Sequence, residues 1–188
     1  MKGMIFIAFE SFVVETHGRE FYEELIESSS PGFEGSTYVG PATYDDERLM
    51  ELVQLANERS GIPIPDLIRG FGRHCLPMLF EYYPGSIHQF ETPRDLLLGI
   101  DQIIHVETKK LYPDAQTPSF TYEDMGDRRL RMNYQSPRKL CWLVEGLIDG
   151  LADYYGDTIE YAQEQCMHDG AEKCSFDVHF RGELRVDR

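Results

Sequence analysis

Three groups of side chains in this sequence have the types and spacing that chemistry needs. The first is Tyr134-Gln-Ser-Pro-Arg138, which sets a phenol, a hydroxyl and a guanidinium at alternate positions. If a strand turned into a helix here, these groups would meet free backbone N–H donors at the positive end of a helix dipole. That is a site for a carboxylate or phosphate. An ordinary capped helix start with a solvated arginine uses the same residues. The second is His105, on the flank of an apolar helical stripe formed by Leu96, Leu97, Ile100, Ile103 and Ile104. A boundary histidine of a core sits in such a place, and so does an axial haem ligand, which needs an imidazole on an apolar wall and polar partners for two propionates elsewhere. The third is Cys141 with Cys166-Met-His168 and Cys174. Three thiols and one imidazole match tetrahedral zinc, and reduced, unpaired cysteines read the same way. His17, His74, His88 and His179 find no partner in the sequence.

Elements able to position these groups follow from periodicity. Ile5, Phe9, Phe12 and Val13 predict a helix over 3–16, ended by Gly18, and Phe21, Tyr22, Leu25 and Ile26 a short second one. Pro31-Gly-Phe-Glu-Gly-Ser reads as a turn-rich loop. Asp45 and Asp46 lead into a helix with Leu49, Leu52, Val53 and Ala56 on one face, stopped by Gly61. Pro65 opens another, with Leu67, Ile68, Phe71, Cys75 and Leu79 along it, ending before Pro84-Gly85. Thr92-Pro-Arg-Asp95 gives the cap, first-turn proline and acid that start the helix carrying His105.

Past Tyr112 the period changes. Ser119–Tyr122 and Leu130–Tyr134 read as strands around a Met125-Gly-Asp turn, and Thr158–Ala162 and Ser175–Phe180 as two more. Between them Leu140, Leu143, Val144, Leu147, Ile148 and Leu151 predict one long helix ending at Gly156, with Ser136 as its N-cap and Pro137 at its first position. The fold class is α+β, a helical N-terminal half packed on a smaller antiparallel sheet with one long helix.

Composition narrows the function classes. At 188 residues and 41% hydrophobic, the chain makes one domain, or one and a small appendage, with a core large enough to enclose a cavity. The 33 acidic against 18 basic side chains give a net charge of −15, which opposes nucleic acid and anionic membranes. No apolar run reaches the roughly 18 residues of a membrane span. The opening residues, with one lysine and an early Glu10, do not read as a signal peptide. Four cysteines in that context argue for reduced thiols or metal in a cytoplasmic protein.

The opening Met1-Lys-Gly-Met-Ile-Phe, the Ile104-His105 segment, Tyr134-Gln-Ser-Pro-Arg138 and Leu143-Val-Glu-Gly-Leu147 together resemble the H-NOX family, haem nitric oxide/oxygen-binding domains related to soluble guanylate cyclase. The likeness spans essentially the whole chain. It implies a single domain over 1–188, with a helical part at about 1–62, a haem-binding helix-and-sheet part at about 63–188, and haem b buried between. His105 would be the proximal iron ligand, and Tyr134, Ser136 and Arg138 would hold the propionates. Pro118 resembles the family proline that presses the porphyrin out of plane; a plain strand-entry proline would stand there too. Ile5, Phe9, Cys75, Leu79, Leu143 and Leu147 match the distal wall, Leu143 at the position where oxygen-binding members carry a tyrosine. A wall without a strong donor favours nitric oxide and carbon monoxide over oxygen.

The same resemblance implies a sensor rather than an enzyme. Nitric oxide would weaken or break the iron–His105 bond, and the signal would pass to a separate histidine kinase or a diguanylate cyclase/phosphodiesterase. It also raises the zinc reading of Cys141, Cys166 and Cys174. Some relatives place a histidine three residues before the first cysteine of the pair, where Gln163 stands here, so His168 is taken as fourth ligand on local chemistry. A rival class is a zinc/cysteine redox sensor with haem as a secondary cofactor. A haem peroxidase is disfavoured, because the matched wall lacks an acid–base pair.

Overall fold

Hydrophobic spacing along the first sixty residues becomes three helices, α1 (Gly3–His17), α2 (Arg19–Ser28) and α3 (Asp46–Ser60), in a computed structural model that describes residues 1–30, 38–82, 84–126 and 128–182. Gly61 closes α3 in the left-handed conformation at φ 73°, its N–H donating to Asn57 O, as a glycine helix end should. A longer helix, α4 (Ile64–Tyr82), follows, then the short α5 (Pro84–Ile87). The turn-rich loop read at residues 31–36, and Asp127 of the predicted hairpin turn, lie outside the described residues. Phe6, Phe9 and Phe12 of α1, Leu49, Leu52 and Val53 of α3, and Leu67, Ile68 and Phe71 of α4 bury one another in a first core. Each fully buried side chain of this kind contributes roughly 1.5–3 kcal/mol.

Thr92 caps α6 (Pro93–Gly99) as read, its hydroxyl accepting from the Asp95 N–H at 3.1 Å. The helix is not uniform beyond that point. Ile100–Ile104 form a π-helical turn that delivers the chain into α7 (His105–Leu111). One extra residue per turn leaves no trace in apolar spacing over so short a stretch, and such turns concentrate at functional sites.

The sheet contains β1 (Ser119–Asp124), β2 (Arg129–Gln135), β3 (Ile159–Gln165) and β4 (Cys174–Phe180), ordered β1-β2-β4-β3 with every pairing antiparallel. Alternation on β2 buries Leu130, Met132 and Tyr134 against a second core. The long helix α8 (Cys141–Tyr155) crosses α4 with almost no space between them. A Cβ on Gly146 would stand 1.9 Å from Arg69 O, and one on Gly72 2.5 Å from Leu143 O, so only glycine admits the approach.

The predicted start of α8 needs correction. Ser136 is not an N-cap and Pro137 does not open the helix, which begins at Cys141 with Leu140 as its cap residue. The intervening residues form a turn in which Lys139 N–H donates to Ser136 O at 3.1 Å and Lys139 takes φ 51°. Apolar spacing from Leu140 onward located the helix body; the Ser-Pro signal described a turn instead.

Candidate functional site

A cavity of about 500 Å3 opens where the two cores meet. Ile5 of α1, Leu79 of α4, and Leu143 and Leu147 of α8 line it, joined by Leu76, Phe80 and Val144, which sequence reading missed. Phe9 and Cys75 do not line it. They belong to the first core, where Phe9 meets Phe71 edge-on at 5.3 Å and the Cys75 thiol donates to Gly72 O at 3.5 Å. One residue along a helix is about 100° of rotation, so the face carrying Leu76 and Leu79 looks into the cavity while Cys75 looks toward α1. Burial pushes the Cys75 thiol up to about 12, making it an inert core group.

His105 lines the same cavity from α7. Its Nδ1 lies 2.5 Å from Asp101 Oδ1, while Asp101 Oδ2 accepts the Phe120 N–H at 2.7 Å. The carboxylate therefore fixes the imidazole with its proton on Nδ1 and leaves the Nε2 lone pair free, as metal-bound histidines are commonly held. Burial lowers the His105 pKa against the opposing pull of Asp101, which favours the neutral, ligating form. The Phe120 ring sits 5.9 Å from the imidazole and 5.5 Å from the Tyr134 ring, bridging the two predicted sites. Asp101 escaped the sequence reading; its only signal is an acid four residues before His105.

The polar end of the cavity brings Tyr134, Ser136 and Arg138 together with Pro118 and Gln116. The buried Tyr134 hydroxyl accepts the Leu140 N–H at 3.0 Å, and Ser136 Oγ accepts the Arg138 N–H at 3.3 Å. The three groups are thus set by a turn rather than by a helix N-terminus, which removes the helix dipole from the expected anion site. Arg138 Nε donates to Asp46 Oδ2 and its Nη1 to Gln116 O, both at 2.6 Å. Burial would raise the Asp46 carboxyl, but bonds from the Met1 amino group and Arg138 hold it below its ordinary value. The donor set suits a flat, apolar group with acidic substituents: a neutral imidazole on one face, aliphatic side chains on the other, a guanidinium at the edge. Haem has that chemistry, and the residues present fit it.

On the far side of Tyr134, Cys141, Cys166 and Cys174 converge, with all three sulfurs within 4.8 Å of one another and Cys141 Sγ 3.9 Å from Cys166 Sγ. Thiolates around tetrahedral zinc stand about 3.8 Å apart, given Zn–S bonds near 2.3 Å, so the trio fits. Backbone N–H groups of Met167 and His168 donate to Cys174 and Cys166 at 3.3 and 3.4 Å. The His168 ring does not join them. It stacks on Trp142 with centroids 4.3 Å apart, and its Nε2 bonds Lys139 O at 2.8 Å. The short 3-10 turn Met167–Asp169 aims that ring at the Ser136–Lys139 turn instead. The Gln163 carboxamide meets Cys141, whose thiol burial and the neighbouring Cys174 push up to about 12.

A Haem-NO-binding family model matches residues 2–163. Among solved structures, the chain is similar to an H-NOX protein from S. oneidensis in the Fe(II)NO ligation state, at 30% identity and a TM-score of 0.91 over 97% of this chain and 100% of that one. An unliganded Fe(II) H-NOX protein from K. algicida matches at 28% identity and a TM-score of 0.89, covering 100% of both chains. The IWP-051-bound H-NOX from Shewanella woodyi in the Fe(II)CO state matches at 32% and 0.82, again over 100% of both. No curated protein sequence matches.

Proposed function

Because the chain belongs to the haem-NO-binding, or H-NOX, family, we propose that it senses nitric oxide at ferrous haem b and reports to a separate partner protein. The observation that carries this reading is a half-buried imidazole, oriented by Asp101, sharing one cavity with Tyr134, Ser136 and Arg138. When bound, ferrous haem supplies an iron with one position open to a diatomic gas. His105 Nε2 would be the protein's ligand to that iron. Tyr134, Ser136 and Arg138 would take the propionates, with Pro118 in the same cavity wall.

Ile5, Leu79, Leu143 and Leu147 exclude water from the gas side and offer no hydrogen-bond donor. That favours nitric oxide and carbon monoxide, which gain little from a donor, over oxygen, whose bound form carries partial negative charge. These aliphatic residues supply no acid–base pair either, which supports a sensor rather than a peroxidase. Were nitric oxide to release His105, α7 would be free to move, a two-state element biased by ligand. The partner is a histidine kinase or a diguanylate cyclase/phosphodiesterase. No helix is long and apolar enough to cross a membrane among the described residues, and a cytoplasmic setting agrees with the reduced thiols.

Convergence of Cys141, Cys166 and Cys174 supports a second reading, one zinc per chain and a response to thiol oxidation, with the fourth position filled by something other than His168. Elemental analysis of wild type and Cys174→Ser tests it: folded protein without zinc removes the site. The main reading is tested by anaerobic absorption spectra of the dithionite-reduced protein before and after nitric oxide. We expect a high-spin five-coordinate Soret band that moves to that of a five-coordinate nitrosyl. A six-coordinate product would retain haem but remove His105 release, and no Soret band after reconstitution would end the sensor reading.

A further inference from the structure

The loop that leaves the His105 helix is fastened to the first turn of the chain by one lysine. Lys2 precedes α1, and its Nζ donates to Asp114 Oδ1 at 2.6 Å and Oδ2 at 2.9 Å, to Thr43 Oγ1 at 2.8 Å and to Pro41 O at 3.1 Å. An ammonium has three N–H donors, so all are taken within this cluster. The Thr43 hydroxyl donates to Asp114 Oδ2 at 2.5 Å, and the ammonium lies 5.1 Å from the centre of the Tyr112 ring. Although Asp114 is exposed, the lysine side chain is only 12% exposed, so the contact is half sheltered from solvent.

The two ends of this contact sit on different elements, the start of α1 and the loop that follows the His105 helix. On one side Gly3 N–H donates to Ala42 O at 2.8 Å and Met4 N–H to Gly40 O at 3.1 Å, which stitches the start of α1 to residues 40–44. On the other side Tyr112 ends α7, its N–H donating to Thr108 O at 2.8 Å, two residues before Asp114. The same loop has a second tie, Gln116 O to Arg138, but that guanidinium is assigned to the cofactor's carboxylates. Lys2 and Asp114 also border the cavity, but the three donors of the lysine are all taken within this cluster.

We propose that the Lys2–Asp114 ion pair, with Thr43, is the latch through which displacement of the His105 helix reaches α1 and the N-terminal helices. It rests on the sensor reading, since it needs α7 to move when His105 is released. Without the latch, α7 and its loop would still respond to gas, and α1 would follow only weakly.

The test is hydrogen–deuterium exchange by mass spectrometry on the haem-loaded ferrous protein, with and without nitric oxide, for wild type, Lys2→Met, Asp114→Asn and Lys2→Arg. Nitric oxide should change exchange at 105–118 and at 2–12 in wild type. In Lys2→Met the first change should persist and the second should fall by roughly threefold, the scale of a part-exposed ion pair. Lys2→Arg, which keeps the charge, should restore it. Haem-free Lys2→Met should already exchange faster than wild type at 112–118. Asp114→Asn removes the charge at the exposed end of the pair and carries the test if Lys2→Met does not fold. An α1 response equal in wild type and both latch variants overturns the latch while leaving the sensor intact, as does unchanged exchange at 112–118 in the haem-free variant. Absence of any nitric oxide-dependent absorption change in wild type overturns the sensor reading and the latch together.

Discussion

Leu143 lines the cavity from α8, and on the proposed sensor reading it is the residue on which gas selectivity would turn. Leu143→Tyr adds a donor to a dry wall, and a hydrogen bond to a partly charged acceptor is worth about 1.5–3 kcal/mol. We therefore expect an oxygen complex that persists at least about tenfold longer in the variant, read by stopped-flow absorption after mixing ferrous protein with air-saturated buffer. The thiols make a second prediction at this scale. Cys141 is held near 12 and Cys174 is also raised, so at neutral pH both carry their protons. Zinc must displace them, which means affinity falls as pH falls and each bound ion releases about two to three protons. Proton release in weakly buffered zinc titrations reads the number, and none released would exclude thiolate ligation. Asp101 shows why residues at this scale are only partly legible in sequence. Its four-residue spacing before His105 is an ordinary helical one that many solvated pairs share, and the strand N–H from Phe120 that holds its other oxygen leaves no pattern in nearby residue types.

The crossing of α4 and α8 is the element-level feature that holds Leu79 opposite Leu143 and Leu147. It depends on Gly72 and Gly146 for closeness, while Arg69–Asp149 and Arg73–Asp153, at 2.7 and 2.5 Å, line its solvent edge. Exposed pairs of that kind typically give under about 1 kcal/mol each, so the glycines dominate. Gly146→Ala forces a methyl into the Arg69 carbonyl. Overpacking costs about 1–3 kcal/mol, which at about 2–4 °C per kcal/mol in a chain of this size lowers the Tm by about 2–12 °C. Thermal melts followed by circular dichroism check it, with an unchanged Tm showing that the helices can separate freely. Elements were the most legible scale, since every long periodic run became a helix and every alternating run a strand. The failure was local and physical. Ser136-Pro137 has the chemistry of a helix start, yet the chain must first bring the Leu140 N–H onto the Tyr134 hydroxyl, and that bond delays the helix to Cys141.

At the scale of the whole molecule, α4 belongs to both cores: Leu67, Ile68, Phe71 and Cys75 face the helical one, Leu76 and Phe80 the one against the sheet. The cavity lies along that seam, lined by Ile5 from α1, Leu96 from α6, Phe120 and Met132 from the sheet, and Leu147 from α8. Composition announced a core able to enclose a ligand, but no single sequence shows a wall whose parts lie more than a hundred residues apart. A group filling this seam joins the two cores, so cofactor binding should act on global stability and not only on the pocket. Free haem at about 1,000 times its Kd stabilises the native state by about 4.1 kcal/mol through mass action. That corresponds to a Tm rise of about 8–16 °C for a chain of this length. Differential scanning calorimetry of the haem-free protein, titrated with haem, reads the shift directly. Closure of the seam also predicts that any separate, lower-temperature melting of the helical core in the haem-free protein merges with the main transition as haem is added. A Tm that stays fixed while the Soret band of bound haem grows would place the haem on the surface, away from His105 and Arg138.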